Sequence, residues 1–190
     1  MPQKRLAVLF SGQGSNLESL LKTLHRYTFN GTTLNVVLTL TNKPTAGGIE
    51  KSRSYGIEPV VIDHTWFESR EAFDGAVVEA IHKAQVDLVV LAGFMRILTP
   101  VFTQQVNAIN LHPSLLPLFK GANAIKESYE AEVKEAGVSV HVVSEELDGG
   151  AIVLQEAFVK EVGMSYEAFE AKIRAIEHQL LPKAVIKLLC

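Results

Sequence analysis

The stretch Leu6-Ala7-Val8-Leu9-Phe10-Ser11-Gly12-Gln13-Gly14-Ser15-Asn16-Leu17 decides the fold. Its first five residues are apolar without alternation, which is the signature of a strand buried on both faces. A glycine and serine loop follows, and then Leu17, Leu20, Leu21 and Leu24 recur at helical spacing. This is a β-loop-α unit, and its rhythm repeats. Residues 34–40 read as a second strand, 42–48 as a loop, and the residues up to Tyr55 as a short helix stopped by Gly56. Pro59-Val60-Val61-Ile62 gives a third strand, residues 71–84 a helix, 87–92 a fourth strand and 109–112 a fifth. Continuous apolar strands separated by helices predict an α/β fold, a Rossmann-like, mainly parallel twisted sheet flanked by helices.

After the fifth strand the pattern changes. A helix is expected over residues 124–135, followed by strands at 138–143 and 151–154 around the loop 144–150. So short a connection predicts an antiparallel pair toward the C-terminus. A last helix over about 165–189 carries Phe169, Ile173, Ile176 and Leu180 on one side, with Pro182 bending or breaking it. There is no repeat and no linker, so a single domain over residues 1–190 is expected.

Composition narrows the function classes. The 190 residues are 47% hydrophobic, enough for one sizeable core and too few for two comfortable domains. A net charge of −3 with no long Lys/Arg run argues against nucleic acid as a partner. The apolar runs are far shorter than a membrane span, and Leu6 to Phe10 is too short for a signal peptide, so a cytoplasmic protein is expected. Cys190 is the single cysteine, which leaves no intramolecular disulfide and no cysteine-based metal site.

The chemistry concentrates in Asn110-Leu111-His112-Pro113-Ser114-Leu115-Leu116-Pro117. Strand side chains alternate, so Asn110 and His112 share a face, and Pro113 ends the ladder and leaves His112 at the mouth of the sheet. Such a histidine is either a satisfied core residue or a proton donor. The Ser11 to Asn16 loop, between strand and helix, is either a tight turn capped by Ser15 or Asn16 or an anion site of backbone N–H groups. It lacks the third glycine and the distal acid of a dinucleotide fingerprint, having Leu17 and Thr41-Asn42 there, so NAD is disfavoured. Asp148-Gly149-Gly150 is a plain turn or a way of aiming a carboxylate. If Asn110, His112 and Asp148 converge, they form a set for acyl transfer to an amine that needs no protein nucleophile.

Four segments together, Asn110 to Pro117, Ser11-Gly12-x-Gly14-Ser15-Asn16, Ala92-Gly93-Phe94-Met95-Arg96-Ile97-Leu98 and Glu146-Leu147-Asp148-Gly149-Gly150, resemble the phosphoribosylglycinamide formyltransferase family of folate-dependent enzymes. The resemblance covers nearly the whole chain. It implies formyl transfer from 10-formyltetrahydrofolate to the amine of 5-phosphoribosyl-glycinamide in purine biosynthesis, without a metal. By position it implies Asn110, His112 and Asp148 as the catalytic set, and Gly12, Gly14, Ser15 and Asn16 at the substrate phosphate. Arg70, Met95, Arg96, Ile97, Leu98, Asn110 and Val143 fall at the folate, and Glu177 at the glycinamide. It also implies a nucleotide-binding half, about 1–100, a folate and catalytic half, about 101–190, and a monomer or homodimer acting on small molecules, with no membrane partner.

Two positions depart from the family pattern. Asn123 stands in a loop where relatives carry a histidine pair, and Gln13 where asparagine is frequent. His141 is open between a core residue and a partner of the catalytic set, while His25, His64, His82 and His178 read as surface or packing residues. A formyltetrahydrofolate hydrolase on the same fold is the alternative. It usually carries an extra N-terminal domain, whereas the first strand here starts at about Arg5. Methionyl-tRNA formyltransferase, with its C-terminal tRNA domain, is a weaker match.

Overall fold

Strand β1 (Gln3–Phe10) is the centre from which the sheet grows, and its last five residues are fully buried. The computed structural model describes residues 2–190. The chain leaves β1 into α1 (Ser15–Leu24), forms the short strand β2 (Tyr27–Phe29), and returns as β3 (Thr32–Thr41) parallel to β1. After α2 (Gly48–Ser54), β4 (Val60–Val61) adds to the end of β3, and α3 (Arg70–Lys83) then carries the chain back across. Strand β5 (Leu88–Leu91) pairs with the other side of β1, and β6 (Ala108–His112) pairs parallel with β5. The strand order therefore reverses between β1 and β5, and ligands of open α/β sheets sit at such a switch point, beyond the carboxyl ends of the strands.

Beyond β6 the sheet turns antiparallel, with β7 (Glu135–Val142) against β6 and β8 (Ile152–Val159) against β7. Apolar clusters cover both faces. On one, α1 and α6 (Tyr166–Leu189) bury Leu17, Leu21, Phe169, Ile173 and Leu180 against Leu6, Val8 and Val138. On the other, Phe73, Val77 and Ile81 of α3, with Phe102 of the short helix α4 (Pro100–Thr103), bury Leu9, Leu40 and Val89.

The expected parallel sheet and the antiparallel C-terminal pair are both present. Three local expectations need correction. The helix begun at Ala124 ends at Glu130 rather than 135, as α5 (Ala124–Glu130), and Glu135 already belongs to β7. The Lys160 ammonium donates to the carbonyls of Ser128, Tyr129 and Ala131 at 2.9, 2.9 and 2.7 Å, which closes the helix from a distant part of the chain. At α1 the N-cap is Gly14 in the left-handed conformation (φ 73°), without a side-chain capping bond, so neither Ser15 nor Asn16 caps it.

Pro182 neither ends nor interrupts α6, which continues to Leu189. A proline inside a helix removes the N–H that would bond the carbonyl four residues earlier, here that of His178. The Ser19 hydroxyl of α1 donates to His178 O at 2.9 Å and supplies the missing partner. Ser19→Ala should thus destabilise the protein by about 1 kcal/mol, and much less in a Pro182→Ala background, where the helix N–H is restored. Urea denaturation of the two single variants and the double variant measures this coupling, and additive effects would disprove it.

Candidate active site

The carboxyl ends of β1, β3, β5 and β6 bring Ser11, Asn42, Ala92 and His112 to one edge of the sheet. Strand pairing does the rest, because the antiparallel register of β6 and β7 sets His141 opposite Asn110 and Ser139 opposite His112. The loop from β7 to β8 then folds back over this edge and inserts Asp148. Asp148 itself takes a left-handed conformation (φ 51°), whereas Gly149 and Gly150 do not. The glycines serve close approach instead of turn geometry, since a Cβ on Gly150 would run into Val142 O and one on Gly149 into the Glu146 side chain.

Asp148 is 8% exposed and His112 is 5% exposed, so this carboxylate must be answered by donors inside the protein. Gly121 N–H donates to Oδ2 at 2.9 Å. His112 Nδ1 lies 3.5 Å from Oδ2, and His141 Nε2 and Asn110 Nδ2 each lie 3.5 Å from Oδ1. Burial pushes the carboxyl up. Against it stand His141, the Gly121 N–H and the charge of His112, and together they hold it below its ordinary 3.8.

Carbonyl partners fix one proton on each ring. His112 Nε2 donates to Phe119 O at 2.8 Å, and His141 Nδ1 donates to Val142 O at 2.9 Å. A carbonyl only accepts, so His112 carries a proton on Nε2, and a second on Nδ1 makes it an imidazolium facing Asp148. Asn110 is held between, with Nδ2 3.2 Å from His141 Nε2. His141, open in the sequence, thus belongs to the cluster. Only pairing between residues far apart in the chain places it there, so no local pattern could have found it.

Gly12, Gly14, Ser15 and Asn16 lie together between β1 and α1. Gly48 N–H donates to Gly12 O at 3.1 Å, and Gly14 leaves no room for a Cβ, which would sit 2.7 Å from Gly48 Cα. Asn16 Nδ2 donates to Glu177 Oε2 at 3.1 Å and joins this loop to α6. Glu177 is buried, and burial pushes its carboxyl up although the Asn16 hydrogen bond works against it. Asn16 Oδ1 is buried without a partner.

The segment after β5 holds Met95 and Ile97 65% and 55% exposed, large apolar side chains in water next to the switch point, not core packing. Arg96 stacks over Phe73 with its Cζ 5.6 Å from the ring centre, and Leu98 and Val143 pack on the α3 side of the sheet. Thr99 closes the segment, donating from its N–H and Oγ1 to the buried Asp74 at 2.6 and 2.8 Å. Arg70 opens α3 and is exposed. Asn123 is exposed at the N-cap of α5 and makes no side-chain capping bond. A cavity of about 230 Å³ lined by Ile81, Gln85, Asp87 and Asn107 lies at the amino ends of β5 and β6, the far end of the sheet. No described helix is long and apolar enough to cross a membrane.

Known proteins resemble this chain in sequence and in fold. The formyl transferase family matches residues 4–185. The phosphoribosylglycinamide formyltransferase of Haemophilus influenzae is 38% identical over 184 residues, 96% of this chain and 85% of that protein. The crystal structure of phosphoribosylglycinamide formyltransferase from Campylobacter jejuni is 55% identical with a TM-score of 0.97, covering 99% of this chain and 98% of that one. The trifunctional purine biosynthetic protein adenosine-3 of Gallus gallus is 42% identical over 183 residues, and this chain spans 18% of its length. The chain belongs to the formyl transferase family, among the phosphoribosylglycinamide formyltransferases.

Proposed function

We propose that the chain transfers the formyl group of 10-formyltetrahydrofolate to the amine of 5-phosphoribosyl-glycinamide, giving the N-formyl product and tetrahydrofolate. The observation that carries this reading is the Asp148 carboxylate, buried 3.5 Å from His112 Nδ1 and 3.5 Å from Asn110 Nδ2 at the strand end. The amine attacks the formyl carbon directly and gives a tetrahedral oxyanion. His112 as imidazolium stabilises it, together with the Asn110 N–H whose contact with Asp148 is long enough to be given up. Phe119 O holds the His112 Nε2 proton at 2.8 Å, so in this mechanism the loop carrying Phe119 yields that proton to the reacting oxygen. Asp148 balances the imidazolium and takes up the proton lost by the attacking amine through water. The oxyanion then collapses to the carbonyl, the C–N bond to the folate breaks, and the proton taken up by Asp148 passes through water to the departing folate nitrogen, which leaves Asp148 ionised again.

In this reading Gly12, Gly14, Ser15 and Asn16 receive the ribonucleotide phosphate through the α1 N-terminus. Met95, Arg96, Ile97, Leu98, Arg70, Asn110 and Val143 hold the folate, and Glu177 meets the glycinamide. The division into a nucleotide-binding half, about 1–100, and a folate and catalytic half is part of the same proposal. Arg70 and Met95 to Leu98 cross it in one sense and Glu177 in the other. We further place the enzyme in the cytoplasm, as a monomer or homodimer. The hydrolase alternative has no support from the matched relatives of similar length, which carry the transferase name.

Release of tetrahydrofolate from 10-formyltetrahydrofolate should occur only when glycinamide ribonucleotide is present, and equal release without it would refute the transferase. His112→Ala and Asp148→Asn should each lower kcat by roughly 10²-fold or more with little change in folate binding. A variant at either position with near-normal kcat removes that residue from the mechanism.

The two displaced carboxyls give opposite pH signs. Asp148 is held low, so its contribution to stability is present above its unfolded value near 3.8 and lost as pH falls through the folded one. Melting temperatures of the unaltered protein and Asp148→Asn should therefore converge toward pH 3. Glu177 is pushed up, so its contribution is present below its unfolded value near 4.5 and lost as pH rises through the folded one. Glu177→Gln should melt above the unaltered protein at pH 8 and draw level at pH 4, while raising KM for the ribonucleotide. A melting difference that does not change with pH contradicts either assignment.

A further inference from the structure

Ser11 joins the loop proposed for the ribonucleotide phosphate to the segment proposed for the folate, and neither role uses it. It is 3% exposed and directly precedes Gly12. Its N–H donates to Gly93 O at 3.0 Å, and its Oγ accepts from Met95 N–H at 2.8 Å, so two bonds clamp the segment after β5. The same hydroxyl donates to Asn42 Oδ1 at 2.5 Å, at the end of β3, and Asn42 Nδ2 lies 3.2 Å from His64 Nδ1. The amide orientation follows from the donors available. Reversed, it would donate to a hydroxyl already accepting from Met95, and that hydroxyl's proton would be left without an acceptor. Asn42 is 1% exposed, so water does not offer a ready substitute for any of these bonds.

This relay crosses the switch point between β1 and β5. On its near side, Gly12 O is tied to Gly48 N–H and residues 14–16 open α1. On its far side, Met95 begins a segment with no regular structure, whose other end is fixed by Thr99 on Asp74. Its exposed Met95 and Ile97 side chains are thus positioned by the Ser11 clamp at one end and the Asp74 anchor at the other. A ligand held by residues 12–16 restrains Ser11 through the chain, and Ser11 restrains the Met95 amide through its hydroxyl. A second ligand then meets a segment already fixed and gives up less conformational freedom.

We infer that Ser11 is a positioning residue that couples the two substrate sites, so that ribonucleotide tightens the grip on folate and, by linkage, folate tightens the grip on ribonucleotide. The inference rests on the phosphate and folate assignments proposed above.

The test compares the dissociation constant of tetrahydrofolate with and without saturating glycinamide ribonucleotide. In the unaltered protein the ribonucleotide should tighten binding about fivefold or more. In Ser11→Ala the ratio should fall toward one and KM for the formyl donor should rise roughly tenfold. Because the relay does not touch Asn110, His112 or Asp148, kcat should stay within about threefold. Asn42→Asp keeps an acceptor for the Ser11 hydroxyl and should keep the coupling, whereas Asn42→Ala should lose it. A purely structural role would lower the melting temperature and both affinities while leaving their ratio unchanged, which would overturn the inference. A second measurement needs no variant: hydrogen exchange at the Met95 amide should slow when glycinamide ribonucleotide alone is added, and an unchanged rate overturns the coupling. If the unaltered protein shows no ribonucleotide-dependent turnover, the proposed activity fails and the inference with it. Turnover with a coupling ratio unaffected by Ser11→Ala overturns the inference alone.

Discussion

A carboxylate withdrawn from water has to be surrounded by polar partners, and Asp148 takes its partners from three separate parts of the chain. Asn110 and His112 come from β6, His141 from β7, and Gly121 from the loop that follows the strand end. The left-handed turn at Asp148 brings the carboxylate inward, and the two glycines behind it let the backbone pass close to Val142 and Glu146. Removing any donor leaves a buried charge less well answered, so the chemistry of the site and the closure of these loops are the same set of contacts. The Lys120–Glu146 ion pair at 2.7 Å spans the same two loops at the surface, where solvent makes it a minor contributor.

The parallel half of the sheet handles a different task. Its strand ends point backbone groups and helix starts at the switch point, and the side chains of the first loop and of Asn42 there, Ser11, Ser15, Asn16 and Asn42, are neutral. Charge enters this region through Glu177 from α6, which the Asn16 amide holds at 3.1 Å. The antiparallel half supplies the ionisable cluster. One sheet therefore brings an edge of backbone groups and helix starts together with an edge of ionisable side chains at β6, where the strand direction changes.

The parts legible in the sequence were those set by local pattern. Leu6 to Phe10, residues 34–40 and 87–92 read as buried parallel strands because they are apolar apart from Asn35, Thr39 and Asp87, and Asn110 and His112 share a face because a strand allows nothing else. What escaped depended on distant partners. The end of α5 is set by Lys160, the continuity of α6 through Pro182 by Ser19, and the place of His141 by its register with Asn110. Strand β2 has three residues and too little sequence to show a period. The Asp-Gly-Gly turn was readable as a turn, but the left-handed residue is the aspartate, which the composition of the turn does not disclose.

The bond from Ser19 to the His178 carbonyl also bears on how this chain can change over generations. A lineage that replaces Pro182 first regains a helix N–H and is then free to alter Ser19. One that replaces Ser19 first leaves the carbonyl stranded and must pass through a weaker protein. The two sites are thus joined by an order of events as well as by a contact. Two residues on different helices, neither in the candidate active site, should be inherited as a pair, with the proline the first of them to go.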